Sequence, residues 1–346
     1  VIHIDGAQKS GSGTIVRFAV SLATLLGEEL HLTNIRARRE KPGLRPQHLK
    51  AVQAIREICD GSLSGGEIGS SEIRFKPGGG IRGGYYEWDI GTAGSTTLLV
   101  LTLLPALSFS REVVRFKVQG GLFQDFAPSA YHLQYVLLPL LNKMGITARI
   151  NVIRPGYVPR GGGIIEVEVE PVRGKIKPIN LPAQGRVTGI DGIALSSHLK
   201  ERRVSERMVA KCNEVLKSGG YNARITIIHD NTALQRGAAL AIHARTSSGC
   251  IIGADRAGEP GRTSEDIGEY VARSLMEDLA SGATVDRYLA DQLIFYAALA
   301  DGVSQYRAPK LTEHVETNLW LVENLLGAKT EVSSNMVRIH GIGYHP

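Results

Sequence analysis

Three histidines open helix-length segments that each close on a glycine. His48 precedes Gly61 by thirteen residues, His132 precedes Gly145 by thirteen, and His314 precedes Gly327 by thirteen. A neutral imidazole nitrogen can attack phosphorus, and later protonation makes the resulting N–P bond easy to break. The positive end of a helix disfavours imidazolium and so keeps such a nucleophile neutral at neutral pH. The third segment, Thr312-Glu313-His314-Val315-Glu316-Thr317-Asn318, stands apart from its siblings. Counted from the histidine, Asn318 takes the place that Val52 and Val136 hold in the other two. A polar residue where the siblings are apolar makes His314 the candidate for covalent chemistry. The alternative is that all three histidines are structural, bonding across the junctions between repeated units.

Two further segments suit phosphate. In Arg36-Ala37-Arg38-Arg39-Glu40-Lys41-Pro42-Gly43-Leu44-Arg45-Pro46-Gln47-His48, five cationic side chains fall within ten positions of a loop stiffened by proline. Guanidinium groups match phosphate oxygens two at a time, and a rigid loop loses less entropy when it binds. Arg17 sits one turn into the first expected helix and can join them. The loop Gly6-Ala7-Gln8-Lys9-Ser10-Gly11-Ser12-Gly13 opens that helix and offers free backbone N–H groups. It lacks the Gly-Lys-Ser/Thr ending of a P-loop and the third glycine of a dinucleotide fingerprint. Each segment also has a plain reading, as a solvated charged loop and a tight helix–strand turn. Tyr288-Leu289-Ala290-Asp291-Gln292 places a carboxylate beside an apolar helix face, fit for a metal or a ribose hydroxyl or else a solvated margin. Asp286, near the helix start, is suited to serving the helix dipole.

The elements that hold these residues recur. The first unit reads strand (3–5), glycine loop, helix (14–26), strand (29–36), basic loop, helix (47–59) and a strand at 73–75. The second reads strand 86–90, helix 95–107, strand 113–118, helix 130–144 and strands at 147–153 and 165–169, the last in strict apolar–polar alternation. The third resumes near Ser281 with a helix at 284–300, a strand near 303–307, a helix at 314–326 and two closing strands. The fold class is therefore α/β (α+β): three βαβαββ repeats forming a large domain over 1–183 and 278–346. A smaller inserted α/β domain at 184–277 breaks the rhythm, with strands near 186–195, 224–229, 239–245 and 251–255 and helices at 199–217 and 264–279.

At 346 residues the chain exceeds a single ordinary core. Hydrophobic residues make up 43%, and no apolar run reaches the roughly 20 residues of a membrane span. The opening Val1-Ile2-His3-Ile4-Asp5 alternates like a strand and is no signal peptide. Cys59, Cys212 and Cys250 have no zinc-type spacing and read as buried reduced thiols in a cytoplasmic protein. A net charge of +6 and a pI near 9.2 permit a nucleic-acid partner without requiring one.

The chain resembles the RNA 3'-terminal phosphate cyclase family. The resemblance rests on Ile4-Asp5-Gly6-Ala7-Gln8, on Lys41-Pro42-Gly43-Leu44 with Gln47-His48-Leu49, and on Gly91-Thr92-Ala93-Gly94-Ser95. Further along it rests on Gly156-Tyr157-Val158-Pro159 with Gly161-Gly162-Gly163, on Ala290-Asp291-Gln292, and on His314 with Thr317-Asn318. These segments fall in order along nearly the whole chain outside the insert, which matches in position and length. The resemblance implies three repeats and a thioredoxin-like insert. It implies ATP-dependent conversion of an RNA 3'-phosphate to a 2',3'-cyclic phosphodiester through AMP carried on His314, aided by Mg²⁺ or Mn²⁺. Tyr288, Leu289, Ala290, Asp291, Gln292 and Leu101 would then bind ATP, while Arg17, Arg36, Arg39 and Gln47 face the phosphates or the RNA end. No metal ligands are assigned.

Two positions depart from the family pattern. Ser10 stands where a glutamate associated with the metal is usual, and Leu101 where a glutamine contacting nucleotide is usual. They motivate an alternative, a non-catalytic relative that binds RNA or protein in ribosomal RNA processing. A third reading, an enolpyruvyl transferase built from similar repeats, is disfavoured by the Lys41–Leu44 loop and the His314 segment.

Overall fold

The computed structural model describes residues 1–346. Its first sheet holds β1 (Ile2–Asp5), β2 (Leu30–Thr33), β3 (Ser62–Ser64) and β4 (Ile73–Lys76) in the order β1-β2-β4-β3. Helices α1 (Gly13–Leu26) and α2 (Pro46–Ile58) connect them. The second sheet holds β5 (Gly84–Asp89), β6 (Val114–Gly120), β7 (Ala148–Arg154) and β8 (Gly163–Val169) in the order β5-β6-β8-β7. Its helices are α3 (Thr96–Leu107) and α4, which runs over 130–143 with a π-helical stretch at Leu133–Leu137.

A two-residue strand, β9 (Asn180–Leu181), comes next and pairs with a partner more than a hundred residues later. Between them lie β10 (Val187–Ser197), α5 (Val204–Ser218), β11 (Ala223–Asp230), β12 (Gly237–Thr246), β13 (Ile251–Ala257) and α6 (Ser264–Ala280). The four strands form a separate sheet in the order β11-β10-β12-β13. The chain then returns through α7 (Leu289–Gln292), α8 (Ile294–Leu299), β14 (Val303–Arg307), α9 (Glu313–Leu326), β15 (Lys329–Ser333) and β16 (Met336–His340). The sheet they complete has the order β9-β14-β16-β15.

The molecule is α/β, built from small mixed sheets and helices. Three sheets share one pattern: their first two strands are parallel, and the other pairings are antiparallel. A parallel pair needs a crossover, and a helix supplies it each time. Helix α1 is apolar on nearly every side, and all of it but Leu26 is buried. It packs against α2, α3 and α9, so helices from all three sheets meet there. Gly27, at φ 66°, ends it in the left-handed conformation that glycine takes without strain.

One cluster of 83 buried apolar residues joins the three sheets and their helices. The sheet β10–β13 and helices α5 and α6 enclose a second cluster of 18, all between Ile190 and Leu279. No helix is long and apolar enough to cross a membrane. The three cysteines are buried and unpaired.

Several elements differ from the sequence expectation. The expected helix 284–300 begins only at Leu289 and breaks at Leu293. The Asp286 carboxylate accepts the N–H groups of Tyr288 and Leu289 at 3.0 and 2.9 Å and so starts the helix late. The expected helix 199–217 begins at Val204, after a short 3₁₀ turn and Arg203 at φ 49°. The third sheet takes its first strand, β9, from before the sheet β10–β13 rather than after it.

Candidate active site

The N-terminal ends of α1, α2 and α9 converge with α7 and the loop before α4 on one cleft of about 530 Å³. His314, Arg17, Arg36, Arg39, Gln47, Leu101, Tyr288, Asp291 and Gln292 all line it. Leu289 and Ala290 do not: both are fully buried, and the Ala290 carbonyl accepts a 2.7 Å hydrogen bond from the Tyr306 hydroxyl. Helical spacing accounts for the split, since positions 288, 291 and 292 share one face while 289 and 290 turn into the core.

Cap geometry distinguishes the three histidines. Ser129 caps α4 by accepting the N–H of His132, and Thr312 caps α9 by accepting the N–H of Val315. His48 and His132 are thus the third residue past their caps (Arg45 and Ser129), whereas His314 is the second. The register counted from the closing glycines is corrected by one residue. Val315, fully buried, takes the inward slot of the sibling histidines, and Asn318 matches Ala51 and Tyr135 rather than Val52 and Val136. One residue turns a helical side chain by about 100°. His314 is therefore exposed at the cleft, while His48 and His132 are buried.

The siblings have structural partners. His132 Nε2 lies 3.1 Å from the Asp286 carboxylate, which also accepts the Gly253 N–H from β13 at 2.9 Å. The pair therefore ties three parts of the molecule together. His48 Nδ1 accepts the Arg45 N–H, and its ring fills the space beside Gly13. Any side chain at 13 would overlap that ring. Burial first, then Arg17, Arg36 and Arg45, pull the His48 pKa down to about 2, so it is neutral throughout the useful pH range.

The cleft is strongly cationic and only partly satisfied. Arg36 holds its own loop closed through the carbonyls of Lys41 and Gly43. Arg39 donates to the Ser10 carbonyl at 3.3 Å and braces the glycine loop against the basic one. Arg17 is buried, its Nη2 bonded to Thr14 and its Nε without a partner. Burial lowers its pKa to about 10, still well above neutrality, with Asp291 opposing the shift. Burial also raises the Asp291 carboxyl to about 7 against the pull of Arg17. His314 is held below the usual imidazole range by burial of its cleft side, then by Arg17 and Arg39. Gln292 Oε1 and Asn318 Oδ1 are buried without partners, while Asn318 Nδ2 donates to the Asp291 carbonyl. A buried orphan polar atom costs on the order of 1–3 kcal/mol, which a polar ligand would recover.

The chain does not assemble a metal cage of its own. No group of three or more His, Cys, Asp or Glu side chains stands ready for an ion. Of the two carboxylates in the cleft, Asp125 is engaged by Arg256 and Arg262, which leaves Asp291. Ser10 makes no carboxylate contribution. Its N–H donates to the Thr317 hydroxyl at 3.2 Å, tying the glycine loop to the helix that bears His314.

Sequence reasoning missed Asp125, Phe126, Ala127 and Pro128, which also line the cleft. Phe126 is 98% exposed, and the sequence of the loop carries no signal that marks it.

Comparison with known proteins gives a consistent result. The family model described as RNA 3'-terminal phosphate cyclase matches residues 8–332. A protein named RNA 3'-terminal phosphate cyclase from Nitrosospira multiformis is 36% identical over 339 residues, covering 97% of this chain and 95% of its own. Proteins of the same name from Pyrobaculum aerophilum and Staphylothermus marinus are 34% and 35% identical, over 99% and 100% of this chain and 99% of their own. Among solved structures, an EPSP synthase from Acinetobacter baumannii aligns over 99% of this chain and 82% of its own. Its TM-score of 0.29 and 12% identity are too low to bear on the fold or the function.

Proposed function

Because the chain belongs to the RNA 3'-terminal phosphate cyclase family, we propose that its cleft performs the ATP-dependent cyclisation of an RNA 3'-phosphate with His314 as nucleophile. The observation that carries this is the solvent-reachable imidazole at a cleft lined by Arg17, Arg36 and Arg39, its pKa lowered first by burial of its cleft side and then by Arg17 and Arg39. In the first step the neutral His314 nitrogen attacks the α-phosphorus of ATP. An N–P bond forms, the bond to the bridging oxygen breaks, and pyrophosphate leaves. In the second, an oxygen of the RNA 3'-phosphate attacks the same phosphorus and frees the imidazole. In the third, the adjacent ribose 2'-oxygen attacks the activated 3'-phosphorus, its proton is lost and AMP departs, which leaves the 2',3'-cyclic phosphate. Covalent catalysis divides one hard displacement into easier ones.

The arginines neutralise charge on the phosphates and orient them. Gln47 closes the phosphate side. Tyr288, Asp291, Gln292 and Leu101 form the nucleotide side, and Arg17 Nε, Gln292 Oε1 and Asn318 Oδ1 are the polar atoms a ligand would satisfy. A divalent ion, Mg²⁺ or Mn²⁺, would arrive on the triphosphate, since the chain offers no set of ligands to hold it alone. In the same reading residues 184–277 are an inserted thioredoxin-like domain, and the protein is a cytoplasmic enzyme whose partner is RNA.

Incubation with α-labelled ATP and a divalent ion tests the proposal. The protein should form an acid-labile, alkali-stable AMP adduct that passes to 3'-phosphorylated RNA. Ser10 and Leu101, which bring a small hydroxyl and an apolar side chain to the site, favour the second reading, a relative that binds RNA or protein without catalysis. Absence of any adduct across several divalent ions, with RNA ends unchanged, would select that reading.

A further inference from the structure

We propose that an arginine-lined pocket on the inserted sheet continues the cleft and takes the backbone of the RNA strand leading to the reacting 3' end. The proposal rests on the reading above for what occupies the cleft itself. The pocket, about 460 Å³, lies where the 3₁₀ turn before α5, the start of α6 and the loop before β12 meet residues 157–159. Arg202, Arg207, Arg236 and Arg262 all line it.

Their partners separate them into two groups. Arg207 is paired with Glu265 at 2.7 Å, and Arg262 with Asp125 and Glu259. Arg202 and Arg236 are exposed and have neither an ion-pair nor a hydrogen-bond partner. Nothing in the fold consumes their charge. Two free guanidinium groups in a polar recess suit phosphate oxygens, which they can bind in pairs.

The pocket adjoins the cleft through a single ion pair. Asp125 lines the cleft, Arg262 lines the pocket, and their side chains meet at 2.7 Å. Next to Asp125 stands Phe126, the most exposed large hydrophobic residue of the chain. An exposed aromatic ring beside a cationic track is the combination that holds single-stranded nucleic acid, with bases stacking and phosphates neutralised regardless of sequence. A small anion would use the arginines and leave Phe126 without a role. A strand emerging from the cleft meets both, Phe126 first and the free arginines beyond the Asp125–Arg262 pair. The insert would thereby contribute affinity for length and none for the chemical step.

The experiment uses the full chain with R202E/R236E, changes at two exposed side chains that bond nothing and should leave the melting midpoint unchanged. On a 3'-phosphorylated RNA of about twelve nucleotides, within the span that single-strand sites cover, the variant should lose roughly tenfold in kcat/KM. Its dependence of log affinity on log salt should flatten by about 1.4, for two phosphate contacts. On a 3'-phosphorylated dinucleotide, and in formation of the AMP adduct, it should equal the parent protein. Equal loss on both lengths, or an unchanged salt slope on the long RNA, would overturn the proposal. Displacement of the long RNA by inorganic phosphate at the same concentration in parent and variant would also overturn it. Should the parent form no adduct and cyclise nothing, the catalytic reading fails by itself, and fluorescence anisotropy with the labelled long RNA still reads the pocket.

Discussion

The starts of α4 and α9 place the same residue type one position apart relative to their caps, and the chemistry open to each differs completely. His132, third past Ser129, is buried against Asp286. His314, second past Thr312, is exposed at a cleft among arginines. Burial opposes charge on His132, but Asp286 outweighs it and holds the imidazole above the usual histidine range. Nothing comparable stands beside His314, whose pKa falls instead. A one-residue offset from the cap thus separates a buried imidazole paired with a carboxylate from an accessible one whose pKa is lowered.

Exchanging each histidine for alanine should break the molecule in opposite ways. H314A should reduce adduct formation by on the order of 10³-fold or more, as labelled ATP would show, while denaturant titration finds stability within about 0.5 kcal/mol. H132A leaves Asp286 buried and unpaired, and should cost roughly 3–5 kcal/mol in the same titration. The protein that remains folded should still form the adduct.

A titration of stability against pH sharpens the contrast. The contribution of His132 is complete below an unfolded pKa of about 6.5 and is lost as pH rises through its raised folded value. His132 raises Asp286 burial-disfavoured charge into favour and lowers its pKa, so that contribution is present above about 3.9 and lost as pH falls through the depressed value. Stability of the parent should therefore decline on the alkaline side, and H132A should lack that decline.

The smallest effect concerns His314 as the nucleophile we propose. Adduct formation should keep its rate down to below about pH 6.5, because His314 is still neutral there. R39A removes one of the charges that lower its pKa and should move this acid limb upward, slowing the reaction about two- to threefold near pH 6. An acid limb that does not move would remove Arg39 from the surroundings of His314.

Much of this arrangement was legible because it is written locally. Apolar periodicity and small-residue breaks located α1, α2, α3 and α9 to within two residues, and charge density marked the loop that carries Arg36 and Arg39. What escaped depends on distant partners. β9 is two residues long between Pro178 and Pro182, and exists as a strand only because β14 returns to pair with it more than a hundred residues later. Asp125 and Phe126 lie in a loop of unremarkable composition, and Asp125 is held at the cleft by Arg256 and Arg262, more than a hundred residues away in the chain. The offset of His314 was hidden for another reason. Spacing to a closing glycine reports helix length, whereas the direction of a side chain is fixed at the cap, and the π-helical stretch in α4 adds its own residue between the two.

The side chain to which AMP becomes attached decides between His314 and every other candidate. After reaction with ATP and a divalent ion, mass spectrometry of proteolytic fragments at alkaline pH should place one adenylyl group on His314, within the fragment that contains Thr312 to Asn318. Attachment to His48, His132, a lysine or any other side chain, with His314 unmodified, would contradict it.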